Sequence, residues 1–330
     1  MDGSRKTGAV LLSLIVIGAA GAPALTPHAP GQRFQDYENA PPMRPRVIDA
    51  AGAFARPFVY PIRVVDRLER RYTEDRSRPM PIRWFANGTV VSIEESAGPW
   101  LPLGGDPLGR DVFARLLYGA RLSLGVACIG SIGALMLGLL IGGTAGFFGG
   151  RLDRLLMSVA DFVLVLPAIY VVLSIRAALP LVLSVHEVFL ALTLLLALAG
   201  WPIAARGVRA IIAAERRKEY AEAAHALGAG PWRILLRHLL PSTTAFLLSI
   251  WTMMVPAFVL TEATLSFVGL GFPIPAATWG AMLRDAWQGA ALLSAPWLMA
   301  PGAAIVVTVL ALHLLTAIPA VDGPQAGTFS

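Results

Sequence analysis

Long apolar runs alternate with short polar joints along most of this chain. Six runs are long enough to cross a bilayer as helices, which takes about 20 apolar residues. They are 8–25, 122–148, 155–175, 181–205, 242–268 and 294–320. Backbone groups in lipid must be satisfied within their own segment, so each run is read as a helix despite its Val, Ile, Gly and Pro content. The second run carries Gly125, Gly130, Gly133, Gly138, Gly142, Gly143 and Gly146. Such a small-residue pattern lets helices pack closely.

The joints give an orientation. Residues 149–154 hold Arg151 and Arg154, and residues 206–238 hold Arg206, Arg209, Arg216, Arg217, Lys218, Arg233 and Arg237. Short arginine-rich loops belong on the cytoplasmic side. Residues 176–181 and 269–293 then face outward, and the N-terminus with Arg5 and Lys6 faces inward. The long stretch 26–120 lies outside even though it holds many arginines, because long loops translocate largely regardless of charge. The first run, ending in Ala20-Gly21-Ala22-Pro23-Ala24, reads either as a retained helix or as a cleaved signal peptide. Both readings orient the other five runs alike.

The outer stretch has its own pattern. Residues 37–99 are rich in Pro and Arg, with strand-like runs at 57–65 and 81–93 and a hairpin signal at Asn87-Gly88. Residues 63–76 read as a short charged helix. The stretch is expected to be a small α+β insertion that reaches toward a partner, or else a solvated spacer.

Composition agrees with the pattern. Hydrophobic residues make up 56% of the 330 and charged residues 15%, and the mean hydropathy is +0.64. These values place the chain among membrane proteins. The net charge of +6 fits cytoplasmic loops, and no nucleic-acid motif accompanies it. The single cysteine, Cys128, lies in an apolar run and excludes an internal disulfide. There is no G-x-x-x-x-G-K-[ST] loop, no metal-ligand spacing and no nucleophile motif, so no catalytic, cofactor or metal site is expected in this chain. The classes left are a permease subunit, a stand-alone secondary transporter and an integral membrane enzyme. Secondary transporters usually show repeated halves, and no internal repeat is visible. Asp161, Glu187, Glu262 and His313 lie in or near the runs and should face the bundle or an interface. Glu262 reads as a structural hydrogen bond or helix anchor ahead of the 266–271 turn, with a substrate or proton path as the alternative.

Three motifs narrow the choice. The first spans 219–241: Glu219 and Tyr220, then Glu222-Ala223-Ala224, three residues, Gly228, nine residues, and His238-Leu239-Leu240-Pro241, with Arg233 and Arg237 between. Ala223 and Ala224 let a helix sit close to another backbone, Gly228 permits a turn between two short helices, and Pro241 suits the first turn of the next helix. The second spans 103–124 and includes Asp106, Gly109, Arg110, Asp111, Arg115, Gly119 and Arg121. The third runs from Glu262 through Gly269 and Gly271 to Thr278-Trp279-Gly280.

The first motif resembles the EAA loop of ABC importer permeases. The second resembles the L-G-T-D-x-x-G-R-D-V-x-S-R-x-x-x-G-x-R-x-S-L signature of the dipeptide, oligopeptide and nickel branch, specifically its second permease of the dipeptide permease C type. The departures are Gly105 for Thr, Ala114 for Ser, the enlarged outer insertion, and a C-terminus, 317–330, without the usual G-D-x-L-R-D-x-L-D-P tail.

The resemblance implies an all-α polytopic membrane protein with six helices in the type I, MetI-like permease fold. Its layout would be a first helix at 1–25, a periplasmic segment with insertion at 26–120, a five-helix core at 121–320 containing the cytoplasmic coupling loop 206–241, and a cytoplasmic tail at 321–330. It implies half of a translocation path in the bacterial inner membrane, surrounded by lipid. The partners would be a second permease, two ATPase subunits that use ATP and Mg, and a periplasmic solute-binding protein. The cargo would be a peptide, a peptide-like solute or a nickel complex. Glu219, Tyr220, Glu222, Ala223, Ala224, Gly228, Arg233, Arg237, His238 and Pro241 would form the ATPase-facing elbow.

Overall fold

A computed structural model describes residues 3–48, 52–66, 69–86, 88–93, 98–180, 183–288 and 294–316. Helix α1 (Gly3–Ala20) stops at Gly21 and is followed by a single turn, α2 (Ala22–Leu25). Among the described residues seven short strands come next: β1 (Arg46–Ile48), β2 (Phe54–Val59), β3 (Ile62–Asp66), β4 (Arg71–Glu74), β5 (Met80–Pro81), β6 (Arg83–Ala86) and β7 (Thr89–Ser92). Then follow α3 (Val112–Phe148), α4 (Gly150–Val165), α5 (Ala168–Ala178), α6 (Val185–Glu215), α7 (Glu219–Ala226) and α8 (Pro231–Arg233). A π-type turn, Ile234–Leu239, and a 3-10 turn, Leu240–Thr243, lead into α9 (Thr244–Val268). The last helices are α10 (Trp279–Gln288) and α11 (Ala300–Thr316).

Among the described residues, five helical stretches are long and apolar enough to cross a membrane: Gly3–Ala20, Val112–Phe148, Val185–Glu215, Pro231–Val268 and Pro296–Thr316. The sixth expected helix, 155–175, is not one rod. It is divided between α4 and α5, with an 85° bend. Pro167 lies at the break and Leu166 is extended. Proline lacks the N–H that would continue the ladder and pushes the preceding residue out of the helical region, so the bend is local chemistry. α3 starts ten residues earlier than its apolar run, because Asp111 caps it by accepting from the Phe113 and Ala114 N–H groups. α6 opens with a capping box: Ser184 accepts from the Glu187 N–H, and the Glu187 carboxylate accepts from the Ser184 N–H. Glu187 therefore serves its own helix end. Of the last run, 317–320 lies outside the described residues, as does the tail.

The bundle is organised around α3 against α6. Gly138, Gly142 and Gly146 recur every four residues on one face of α3, and a Cβ at Gly142 would stand 2.2 Å from the Ala205 carbonyl oxygen. The two backbones touch where larger side chains would hold them apart. Val126 and Ala134 of α3, Val188 and Leu192 of α6, Val259 of α9 and Leu312 of α11 share one buried core.

The insertion has its own small core, with Met43, Val59, Ile62, Met80, Trp100 and Leu101 buried together. β1, β2 and β5 form an antiparallel sheet, and β3–β4 and β6–β7 are hairpins. The expected helix over 63–76 is instead the β3–β4 hairpin, with Arg63 opposite Thr73 and Val64 opposite Tyr72. The charges that suggested a helix sit on the exposed side of strands, where Arg46 meets Glu74 at 2.7 Å and Arg63 meets Asp75 at 2.6 Å. Ile62, Val64, Tyr72 and Thr73 are the β-branched and aromatic residues that strands favour. In β6–β7, Ala86 opposite Thr89 leaves a two-residue connection with Gly88 at φ +78°. Asn87 lies outside the described residues.

Candidate functional site

The basic joint 206–241 is an elbow. α7 ends in a left-handed glycine: Gly228 has φ +81°, the Gly228 N–H donates to the His225 carbonyl, and the Ala229 N–H to that of Ala224. This is the glycine termination common at helix C-termini, and it turns the chain toward α8. The elbow is seated by Ala221, Ile234, Leu235 and Leu239, which are buried against Val208 and Ile212 of α6. Arg216 stacks over the Phe147 ring and donates to the Phe147 carbonyl. Lys218 and Tyr220 both reach the Glu215 carboxylate, at 2.7 and 2.8 Å. Burial first, and then Glu215, push the Tyr220 hydroxyl up to about 12, so it stays a neutral donor.

The outward face of the elbow is bare. Glu219, Tyr220, Glu222, Ala223, Gly228, Arg233, Arg237 and His238 are exposed, and Ala224 is half-buried. Ala221 and Ala224, rather than Ala223, supply the close packing; Ala223 faces out. Leu227 is 88% exposed, with Trp232 and Leu236 also exposed beside the charged residues. Pro241 stands in the first turn of the 3-10 segment that leads into α9, with no break before it. Helical turns run in from Pro231, and Pro241 lies in the 3-10 turn just after the π-type turn, a change of winding that accommodates a residue without an N–H. A cleft of about 500 Å³ opens between Phe147, Arg216, Glu222, His225 and Pro231.

Beside the elbow, α4 is tied to α6 by two ion pairs. Arg209 meets Asp153 through two hydrogen bonds, and Arg206 meets Asp161. Asp161 thus finds its partner within the chain. His313 is exposed.

The other two motifs meet at the opposite end of the bundle. Asp106 accepts from the Leu108 and Arg110 N–H groups, and its second oxygen lies 2.6 Å from Arg110 Nε. Arg110 and Arg115 converge on Asp285 of α10, at 2.6 and 3.0 Å. Asp111, besides capping α3, is bonded at 2.9 Å to His28 Nδ1. Gly109 has φ +69°, and a Cβ there would meet the Phe34 carbonyl oxygen at 2.2 Å. A Cβ at Gly105 would meet the Tyr37 carbonyl oxygen at 2.3 Å, so the chain carries Gly where the signature has Thr because 34–40 lies across it. Gly119 packs on Thr278 and Trp279, while Arg121 lies over the Tyr118 ring. Glu262 is fully buried and accepts from Ser266 Oγ at 2.6 Å. Gly269 ends α9 at φ +98°, and Gly271 lies where any side chain would strike Ser266. The two signatures are thus halves of one bracket joining α3, α9 and α10.

Residues 134–319, more than half of the chain, match the family described as the binding-protein-dependent transport system inner membrane component. The chain belongs to this family. It is 34% identical over 213 residues to the oligopeptide transport system permease protein OppC of Bacillus subtilis, covering 64% of this chain and 67% of that protein. It is 35% identical over 229 residues to the dipeptide transport system permease protein DppC of the same species, covering 69% and 68%. It is 34% identical over 221 residues to the glutathione transport system permease protein GsiD of Pectobacterium atrosepticum, covering 67% and 70%. As a chain of this permease family it is a multi-pass membrane protein and a component of transport. The family match takes in the elbow and the Glu262 half of the bracket.

Sequence reasoning missed several residues of both sites. Asp285 is the only carboxylate on α10, and nothing in its spacing announced two arginines some 170 residues earlier. His28 lies in the outer stretch 26–120 but belongs to none of the three motifs. Leu227 and Trp232 fall between the named positions of the loop motif, yet they belong to the apolar part of its bare face.

Proposed function

We propose that this chain is the permease subunit of an ATP-driven importer for peptides or peptide-like solutes in the bacterial inner membrane. The observation that carries this reading is the elbow: α7, Gly228 and α8 are seated on α6 through a buried apolar core, while a mixed acidic, basic and apolar face is left bare. A soluble ATPase that grips this face would move α6 and the Pro231–Val268 stretch with it, because Ile234, Leu235 and Leu239 belong to the same core as Val208 and Ile212. The chain itself is the non-catalytic part; ATP and Mg belong to two ATPase subunits. A second permease completes the path and a periplasmic solute-binding protein delivers cargo. The arginine bias of 149–154 and 206–238 supports a cytoplasmic elbow and a periplasmic insertion. The names of the similar permeases, for oligopeptides, dipeptides and glutathione, support peptide-like cargo.

The test is reconstitution of this chain with a sister permease, the ATPases and a binding protein in liposomes. ATP-dependent uptake of a labelled peptide, lost when this chain is omitted, is the expected result. Uptake by this chain alone without ATP would identify a secondary transporter instead. Uptake of nickel complexes but not of peptides would overturn the cargo.

A further inference from the structure

The first helix marks where the bilayer ends. α1 is eighteen residues long, about 27 Å of helix, slightly less than the roughly 30 Å of a hydrocarbon core. The turn α2 therefore lies at the lipid boundary on the insertion side. β7 packs against α2, and Ala22, Thr26 and His28 around that turn are buried. Each strand of the β6–β7 hairpin is four residues long, roughly 13 Å, so the hairpin stays within about that distance of the α2 turn that β7 touches.

On this hairpin two large aromatic side chains are left uncovered. Trp84 is 57% exposed and Phe85 83%. Phe85 also holds φ +53°, a left-handed conformation that bulky residues rarely adopt. Aromatic rings, Trp above all, settle at the headgroup level of membranes, where one side of the residue meets hydrocarbon and the other water. We propose that the β6–β7 hairpin is a membrane-surface foot, with Trp84 and Phe85 resting in the interface of the same bilayer that α1 spans. The occupant of this apolar patch is lipid, because the strand beside it is packed on the helical turn that closes the first span. The foot fixes the height and tilt of the insertion over the helices.

The test uses the full chain in lipid nanodiscs, with Cys128→Ala and Phe85→Cys carrying an environment-sensitive fluorophore. The expected result is a blue-shifted emission, quenched by brominated phospholipid and little affected by aqueous iodide. Water-like emission quenched by iodide would overturn the proposal. So would emission that shifts only when a solute-binding protein is added, since the hairpin would then be a protein contact. A label-free check is Trp84→Phe, which should reduce the share of intrinsic fluorescence that brominated lipid quenches; an unchanged share contradicts the foot.

Discussion

Asp285 stands between two arginines that have little water to fall back on. Arg110 and Arg115 are 3% and 1% exposed. Removing one partner of a buried pair costs roughly 3 to 5 kcal/mol when the remaining charge is left uncompensated, and without Asp285 the two buried guanidiniums would share the single carboxylate of Asp106. Asp285→Asn is therefore expected to lower the thermal midpoint of the purified protein by more than any substitution at the exposed Arg206–Asp161 pair, as read by differential scanning fluorimetry. Tyr72 gives a pH-dependent counterpart in the insertion. Its hydroxyl donates to the Glu38 carbonyl at 2.6 Å, and burial, with Glu38 nearby, pushes it up to about 12. Unfolded tyrosine titrates near 10, so the folded state holds this proton more tightly. Its contribution to stability is complete below about pH 10 and disappears as pH rises through about 12. Comparing alkaline unfolding of the wild type and Tyr72→Phe, followed by near-UV circular dichroism, should show a steeper loss in the wild type over that interval.

The helices were legible from periodless apolar length, because lipid leaves the backbone no other choice. Their ends were not. Asp111 extends α3 well before its apolar run, Pro167 divides one expected helix, and the turns before Pro241 carry helix back to Pro231. Each is a capping or proline effect that a hydropathy reading ignores. The 63–76 hairpin was misread because its charges outweighed Ile62, Val64 and Tyr72, which face inward or pair across strands. The glycine run on α3 was read correctly as a packing surface, and the α3–α6 seam makes it testable. Gly142→Leu would force a side chain into the Ala205 backbone. It should separate the two helices, with a loss of thermal stability larger than that of Gly125→Leu, whose neighbour is only the movable Phe189 ring.

For the whole molecule, family and fold came from three motifs with fixed spacing, and the structure explains why they are motifs. Two of them, far apart in sequence, are halves of one bracket; the third is an elbow seated on α6. What spacing could not convey was contact: Asp285 with Arg110 and Arg115, His28 with Asp111, and the apolar Leu227 and Trp232 on the bare face. The account stands on the elbow as the element that transmits force. Gly228 has φ +81° and nothing within 4 Å of a Cβ, so Gly228→Val acts through backbone strain of about 1 kcal/mol or more and re-aims α8 without a clash. Glu222→Lys reverses a charge on the exposed face without touching a span. The deciding measurement is uptake of a labelled peptide, together with ATP hydrolysis stimulated by loaded binding protein, in the reconstituted complex carrying either variant. Both variants should insert into the membrane at wild-type levels and lose both activities. Wild-type uptake and stimulation in both would show that 219–241 is an ordinary loop and contradict the account.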